Sequence, residues 1–343
     1  MFTRGIRCHD SGVRWRRALC RLAALVAALS FATQSREFQF EPVSPRTETG
    51  QAQGSVTTPE LFRARTLLAQ GNVQDAENAA REYVSAHKDS ADGHYLLGLI
   101  LFRKADARES LAEYTQGAKY RTPSAFDLLI VGSDYVELGD YADADRWFSK
   151  SLEFNPDDVR AWYYLGRAKY NENRFEEAIA AFQRCLQLDP KHVKAEDNLG
   201  LSYQAVQRTE EAKQAFRNAI AWQGETPTQS GPFIDMGALL IESDQAGDAV
   251  PYLEKGVAIS PDEQRAHLQL GKAYLKLNRL PDAQRQLEAA EDLTPGNAPV
   301  HYMLGQVYRK EGLSERARQE FARYNDLNGN HSTSEPEPGS LPK

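Results

Sequence analysis

The amino-acid sequence predicts an all-α protein made of short helix pairs stacked along one direction, and three observations predict it. Small residues recur at Ala64, Gly98, Gly132, Gly166, Gly200, Gly237, Gly271 and Gly305, with gaps of 34, 34, 34, 34, 37, 34 and 34. A second series, Ala76, Ser110, Ala144, Ala178, Ala212, Ala249, Ala283 and Ala317, keeps the same gaps. Finally, residues 159–192 (VRAWYYLGRAKYNENRFEEAIAAFQRCLQLDPKH) hold two helical patterns. Trp162, Leu165, Gly166 and Lys169 step at helical spacing, as do Ala178, Phe182 and Cys185. Asn171-Glu172-Asn173 separates the two patterns, and Asp189-Pro190 ends the second, because a proline ring cannot continue a helix.

Each part of the repeat has a packing reason. Small residues belong where the two helices of a pair cross closely, since a larger side chain would force the backbones apart. Beside them runs an apolar row, Leu97, Val131, Leu165, Leu199, Met236, Leu270 and Leu304. A third row is Tyr114, Phe148, Phe182, Phe216, Leu253, Leu287 and Phe321, and Pro156, Pro190, Pro261 and Pro295 close four of the units. Residues 159–192 resemble the tetratricopeptide repeat, W-x2-L-G-x2-Y, then A-x3-F, then P, over 34 residues, with Lys169 in place of the tyrosine. The resemblance covers residues 57 to about 327. It implies a right-handed superhelical solenoid of about eight repeats: 57–90, 91–124, 125–158, 159–192, 193–226, 230–263, 264–297 and 298–327. The first repeat, with Glu60, Arg63 and Ala64 in place of W, L and G, is the most divergent, as expected of an end repeat. Three extra residues within 224–232 account for the 37-residue gap and read as a surface loop insertion.

A chain of 343 residues would ordinarily suggest two domains, but a solenoid grows by stacking and escapes that expectation. Hydrophobic residues are 41% and charged ones 26%, as in an ordinary water-facing helical protein. The net charge of −7 argues against nonspecific nucleic-acid binding, which needs a basic footprint.

The ends differ in character. Arg14, Arg16 and Arg17 precede an uncharged apolar run over residues 22–32, ending in Ser30-Phe31-Ala32. Residues 1–32 therefore read as a secretory signal peptide, with a run too short for a comfortable membrane span, and the mature protein as exported, periplasmic or extracellular. A retained anchor is the alternative. Without this segment the formal charge becomes −12 and Cys185 is the single remaining cysteine. Residues 33–56 read as a flexible linker and 328–343 as a disordered tail.

No glycine-rich phosphate loop, C-x-x-C, H-E-x-x-H or G-x-S-x-G motif is present, so no catalytic, cofactor or metal site is expected. Cys185 falls at a small-residue position and reads as a packing thiol. His94, His267 and His301 stand at the tryptophan position of their repeats. His267 and His301 are a helix pair apart, too far to share one metal ion, and read as packing residues. Acid pairs such as Glu176-Glu177 and Glu210-Glu211 fall at helix starts, where the helix dipole favours them.

The resemblance implies a protein-binding scaffold whose first helices line a concave groove for a peptide or partner helix. Arg160, Tyr163, Arg167 and Tyr170 share one face of the first helix of the fourth repeat, and Lys194 and Asn198 continue it in the fifth. These six are the candidate binding residues, Arg and Tyr being the types that most often carry binding energy. They suggest an acidic or C-terminal peptide segment as partner. Some relatives grip chaperone tails with a lysine/asparagine carboxylate clamp. Asn198 matches one clamp position, but Tyr163, Arg167, Gly231 and Asp235 depart from the others and argue against that ligand. Two alternatives stay open: a multi-partner structural scaffold of an envelope complex, and an enzyme with an unrecognised groove site.

Overall fold

The structure, a computed structural model, describes residues 58–329. The expected signal peptide and linker, and the tail from residue 330, lie outside the described residues. Among the described residues there are sixteen α-helices and no strand. They divide at Pro190/Lys191 into two compact units.

The first unit holds α1 (Pro59–Ala69), α2 (Val73–Ala86), α3 (Ala91–Arg103), α4 (Ala107–Gly117), α5 (Ala125–Glu137), α6 (Tyr141–Phe154), α7 (Val159–Asn171) and α8 (Phe175–Leu188). The second holds α9 (Val193–Ala205), α10 (Thr209–Ala221), α11 (Gly231–Glu242), α12 (Ala246–Ile259), α13 (Gln264–Lys276), α14 (Leu280–Leu293), α15 (Ala298–Lys310) and α16 (Ser314–Leu327). Within each unit every helix packs on its sequence neighbours. The odd-numbered helices also touch one another in turn, α1 to α7 in the first unit and α9 to α15 in the second, so first helices form a continuous row in each. None of the described helices is long and apolar enough to cross a membrane.

Local chemistry starts these helices. Thr58, Ser90, Asp106, Asp140 and Asp158 each cap a first turn through a side-chain oxygen, and Ser124 with Asp127 forms a full capping box at α5. Each helix pair then turns through one left-handed residue: Gly71, Ala105, Gly139, Asn173, Gln207, Asp244, Asn278 and Gly312, with φ between 58° and 80°. Three are glycine and three Asn or Asp, the types that tolerate this conformation best. Ala105 and Gln207 adopt it without that tolerance, so the geometry of the turn overrides residue preference.

The repeated small residues and the repeated aromatic row meet in one contact. A Cβ added at Gly166 would lie 2.6 Å from the Phe182 ring, and the same holds for Gly132 under Phe148, Gly200 under Phe216 and Gly305 under Phe321. Each ring comes sixteen residues after its glycine, and Tyr114, Leu253 and Leu287 take the corresponding place in three other repeats. The glycine is therefore the floor on which the second helix seats its largest side chain. The alanine series lies alongside, fully buried at Ala76, Ala144, Ala178, Ala212, Ala249 and Ala283.

Turns between repeats are pinned from the tryptophan position. Trp162 Nε1 donates to the Pro156 carbonyl at 2.8 Å. His94, His267 and His301 place Nε2 at 2.9, 2.9 and 2.8 Å from the carbonyls of Lys88, Pro261 and Pro295, again six residues earlier. Imidazole thus replaces indole as the N–H donor to the preceding turn.

Ser110 is the one polar member of the alanine series, and Asp134 answers it. Its hydroxyl lies 3.0 Å from the Gly98 carbonyl and 2.6 Å from Asp134 Oδ2. One hydroxyl proton cannot serve both acceptors, so a protonated Asp134 donates to Ser110 while Ser110 donates to Gly98. Burial pushes the Asp134 carboxyl up to about 8. A folded-state value raised above the unfolded one contributes stability that is complete below about pH 4 and is lost as pH rises through 8. The Asp134→Asn variant keeps a donor for Ser110 without an ionisable proton. Its thermal midpoint relative to the native chain is expected to rise steadily from pH 5 to pH 9 in scanning calorimetry; a constant difference would show that Asp134 does not titrate there.

Candidate interaction face along the first helices

In the first unit the candidate residues lie on α7. Arg160 is half-buried and bound to its own helix cap, Nη2 to Asp158 Oδ2 at 3.2 Å and Nε to Asp158 Oδ1 at 3.3 Å. Its guanidinium also stands 5.7 Å from the centre of the Phe126 ring. Arg167 is half-buried, 5.8 Å from the Tyr163 ring centre. The two tyrosines depart from the expectation that they are open binding residues. Tyr163 is 8% exposed, packed on Tyr164 and Phe182, and Tyr170 is 6% exposed, edge-on to Phe175. Both positions carry more apolar contact than water can compete for, so their rings join the core.

Beside this face, Lys169, which replaces the family tyrosine, binds Asp145 and Glu177 at 3.1 Å each. Arg174 binds Asp145, Glu172 and Glu177, and its hydrogen bonds together with Lys169 hold the Glu177 carboxyl down at about 2. Glu177 is exposed, so this network orders side chains more than it stabilises the fold.

In the second unit Lys194 is exposed and Asn198 is 7% exposed. Asn198 Nδ2 donates to the Lys194 carbonyl at 2.7 Å, which aims the side chain and leaves Oδ1 buried without a partner in the protein. The two residues at the same place in the next repeats behave alike. Asp235 Oδ2 and Gln269 Oε1 are also buried and unpartnered. Each of the three stands two positions before its repeat's glycine. Asp197 adds a further unpartnered oxygen, and burial pushes its carboxyl up to about 7 against the attraction of Arg265. Arg265 itself is bound to Asp235 Oδ1.

The basic residues along these first helices are interleaved with acids: Asp235 meets Arg265, and Asp244 meets Lys276 at 3.2 Å. Burial pushes the Lys272 ammonium down, with Glu242 opposing. Sequence spacing could have found the row of Asn198, Asp235 and Gln269. It was hidden because three different residue types share only an oxygen.

Cys185 is fully buried, and burial pushes its thiol up to about 12, far from the thiolate a nucleophile needs.

Known proteins match this arrangement. A tetratricopeptide repeat profile matches residues 63–126, 132–193 and 268–330, more than half of the chain, and two further profiles of the repeat match 240–294 and 197–226. A TPR repeat-containing protein of Borreliella burgdorferi is 38% identical over 42 residues, 12% of this chain and 18% of that protein. The chain therefore matches less than a fifth of that relative's length. Among solved structures, a tetratricopeptide repeat protein from Parabacteroides merdae is 19% identical, with 72% of this chain and 97% of that one covered at a TM-score of 0.59. PilW, a type IV pilus biogenesis factor, is also 19% identical, with 61% and 94% covered at a TM-score of 0.55. At such identities the structures show the fold alone. The repeated helix pairs, their glycine–aromatic contact and the profile matches together place the chain in the tetratricopeptide repeat family, whose members are protein-interaction scaffolds.

Proposed function

We propose that the chain is an exported scaffold that holds extended segments of a partner protein along the first helices of each unit. The observation that carries this reading is the row of Asn198 Oδ1, Asp235 Oδ2 and Gln269 Oε1, three buried acceptors at one place in three successive repeats. Leaving a buried acceptor unmade costs about 1–3 kcal/mol, so each favours a donor brought from outside. An extended peptide carries backbone N–H groups at regular spacing and suits such a row.

In the first unit Arg160 and Arg167 are assigned to acidic side chains of the partner, and in the second Lys194, at the exposed start of α9, to the same chemistry. The Tyr163 ring supports Arg167 and the Phe126 ring supports Arg160. Long-range attraction of this kind sets encounter and selectivity more than affinity, and it weakens as salt rises. Export rests on the basic and apolar pattern of residues 1–32, and intact-mass measurement of the native protein, expected to show a start near Thr33, checks it.

Binding is tested with labelled unstructured peptides of acidic, neutral and basic sequence, titrated against the chain by fluorescence anisotropy. The acidic peptide is expected to bind best, to weaken with salt, and to lose its advantage in the Arg160→Glu/Arg167→Glu variant. Asn198→Ala should weaken all three peptides alike, because it removes a contact to backbone. Equal binding of the acidic peptide by native chain and double variant, insensitive to salt, would move the site elsewhere.

A further inference from the structure

We propose that His301, Glu291 and Glu320 form a binding site for one divalent transition-metal ion such as Zn²⁺, at the junction of α14, α15 and α16. One ligand atom from each lies within 4.8 Å of the other two. His301 Nδ1 is 2.8 Å from Glu320 Oε2 and 3.9 Å from Glu291 Oε1. Bonds of about 2.0–2.2 Å to a tetrahedral ion place such atoms roughly 3.3–3.6 Å apart, so the set encloses an ion after shifts well under the length of a bond.

Donor chemistry points the same way. Nε2 of His301 faces the Pro295 carbonyl, which only accepts, so the ring proton sits on Nε2. In the neutral ring the Nδ1 lone pair is then turned towards two carboxylates, and the three acceptors that converge have Arg323 at the rim as the donor to the carboxylates. A histidine that donates its second nitrogen to a backbone carbonyl is oriented as metal-ligating histidines are. His301 is 3% exposed and Glu320 8% exposed, while Glu291 is half-buried at the water side, where an ion would enter. Two carboxylates neutralise a divalent cation, and a water can fill the fourth position.

The chain contains its own comparison. His94 and His267 make the same turn-pinning contact, and the residue nineteen positions later faces Nδ1 in all three cases: Glu113 at 2.6 Å, Gln286 at 2.7 Å and Glu320 at 2.8 Å. Pinning the turn therefore needs one such partner at most. Ten positions before the histidine stand Val84, Val257 and Glu291 respectively, so the second carboxylate occurs at His301 alone among the three. This ligand set, one histidine and two glutamates, departs from the sequence expectation of no metal site and of His301 as a packing residue.

Arg323 occupies the rim. Its Nη1 is 2.8 Å from Glu291 Oε1 and 3.3 Å from Glu320 Oε1, and its side chain is more than half exposed. It balances the carboxylates in the ion-free protein and competes with the ion for Glu291, while Glu320 Oε2 is left to face His301.

The test is titration of chelator-treated full-length protein with ZnCl₂, followed by calorimetry and by thermal midpoint. Glu291→Gln is the decisive variant, since Glu291 takes no part in pinning the turn, and Glu113→Gln is the control at His94. The native chain and Glu113→Gln should take up one more equivalent than Glu291→Gln, or bind it about tenfold more tightly, and should melt higher with the ion. Arg323→Gln should bind more tightly than the native chain. Uptake and midpoint shift identical in the native chain and Glu291→Gln, with their ion-free midpoints equal, would overturn the proposal. So would unchanged affinity in Arg323→Gln.

Discussion

Replacing Phe182 by alanine is expected to lower the stability of the first unit by about 3–5 kcal/mol, the usual range for deleting a buried ring. Phe182 is fully buried, and its edge rests on the bare backbone of Gly166. Removing the ring therefore opens a cavity that no neighbouring side chain is placed to fill. Phe182→Leu should cost far less, because Leu253 and Leu287 already sit over Gly237 and Gly271 in two other repeats. In a stack of repeats the loss is local first, so amides of α7 and α8 should exchange early in Phe182→Ala. Urea unfolding gives the magnitude and hydrogen exchange the location. A Phe182→Ala protein that melts like the native chain would mean that the ring and the glycine do not meet.

Arg265→Met is expected to be comparably damaging in the second unit. Asp235 is 1% exposed and its Oδ1 is held by Arg265, while Oδ2 has no partner in the protein. Taking away the guanidinium leaves a buried carboxylate uncompensated, a loss of about 3–5 kcal/mol. The double variant Arg265→Met/Asp235→Leu removes both members and should recover most of that stability, since a buried pair replaced by packed apolar groups is often neutral. Thermal unfolding of the two proteins checks the order. A single variant as stable as the double would show that Arg265 does not compensate the Asp235 charge.

How much of this was legible beforehand depends on the kind of residue involved. Gly166 and Phe182 were each visible as members of a 34-residue series, because a repeated packing demand keeps residue type constant. The left-handed turn recurs at the same interval and mostly falls on Gly, Asn or Asp, but Ala105 and Gln207 blur that pattern, since the helices on either side force them into it. Arg160 and Arg167 are half-buried, and Tyr163 and Tyr170 were read from spacing on a single helix. Spacing gives direction and not depth: Tyr163 is closed over by Tyr164, Phe182 and Arg167, which the helical wheel does not show.

By itself the sequence determined the all-α class, the repeat length and the identity of the packing rows, because periodic burial imposes periodic residue choice. The tertiary structure alone decided what the exceptions mean. Ser110 needs Asp134, Asp235 needs Arg265, and His301 meets Glu291, joining positions 24, 30 and 10 residues apart with no shared period. Polar groups are satisfied in pairs by atoms that three-dimensional packing brings together, and one chain read in order carries no record of such a pairing until the helices are stacked.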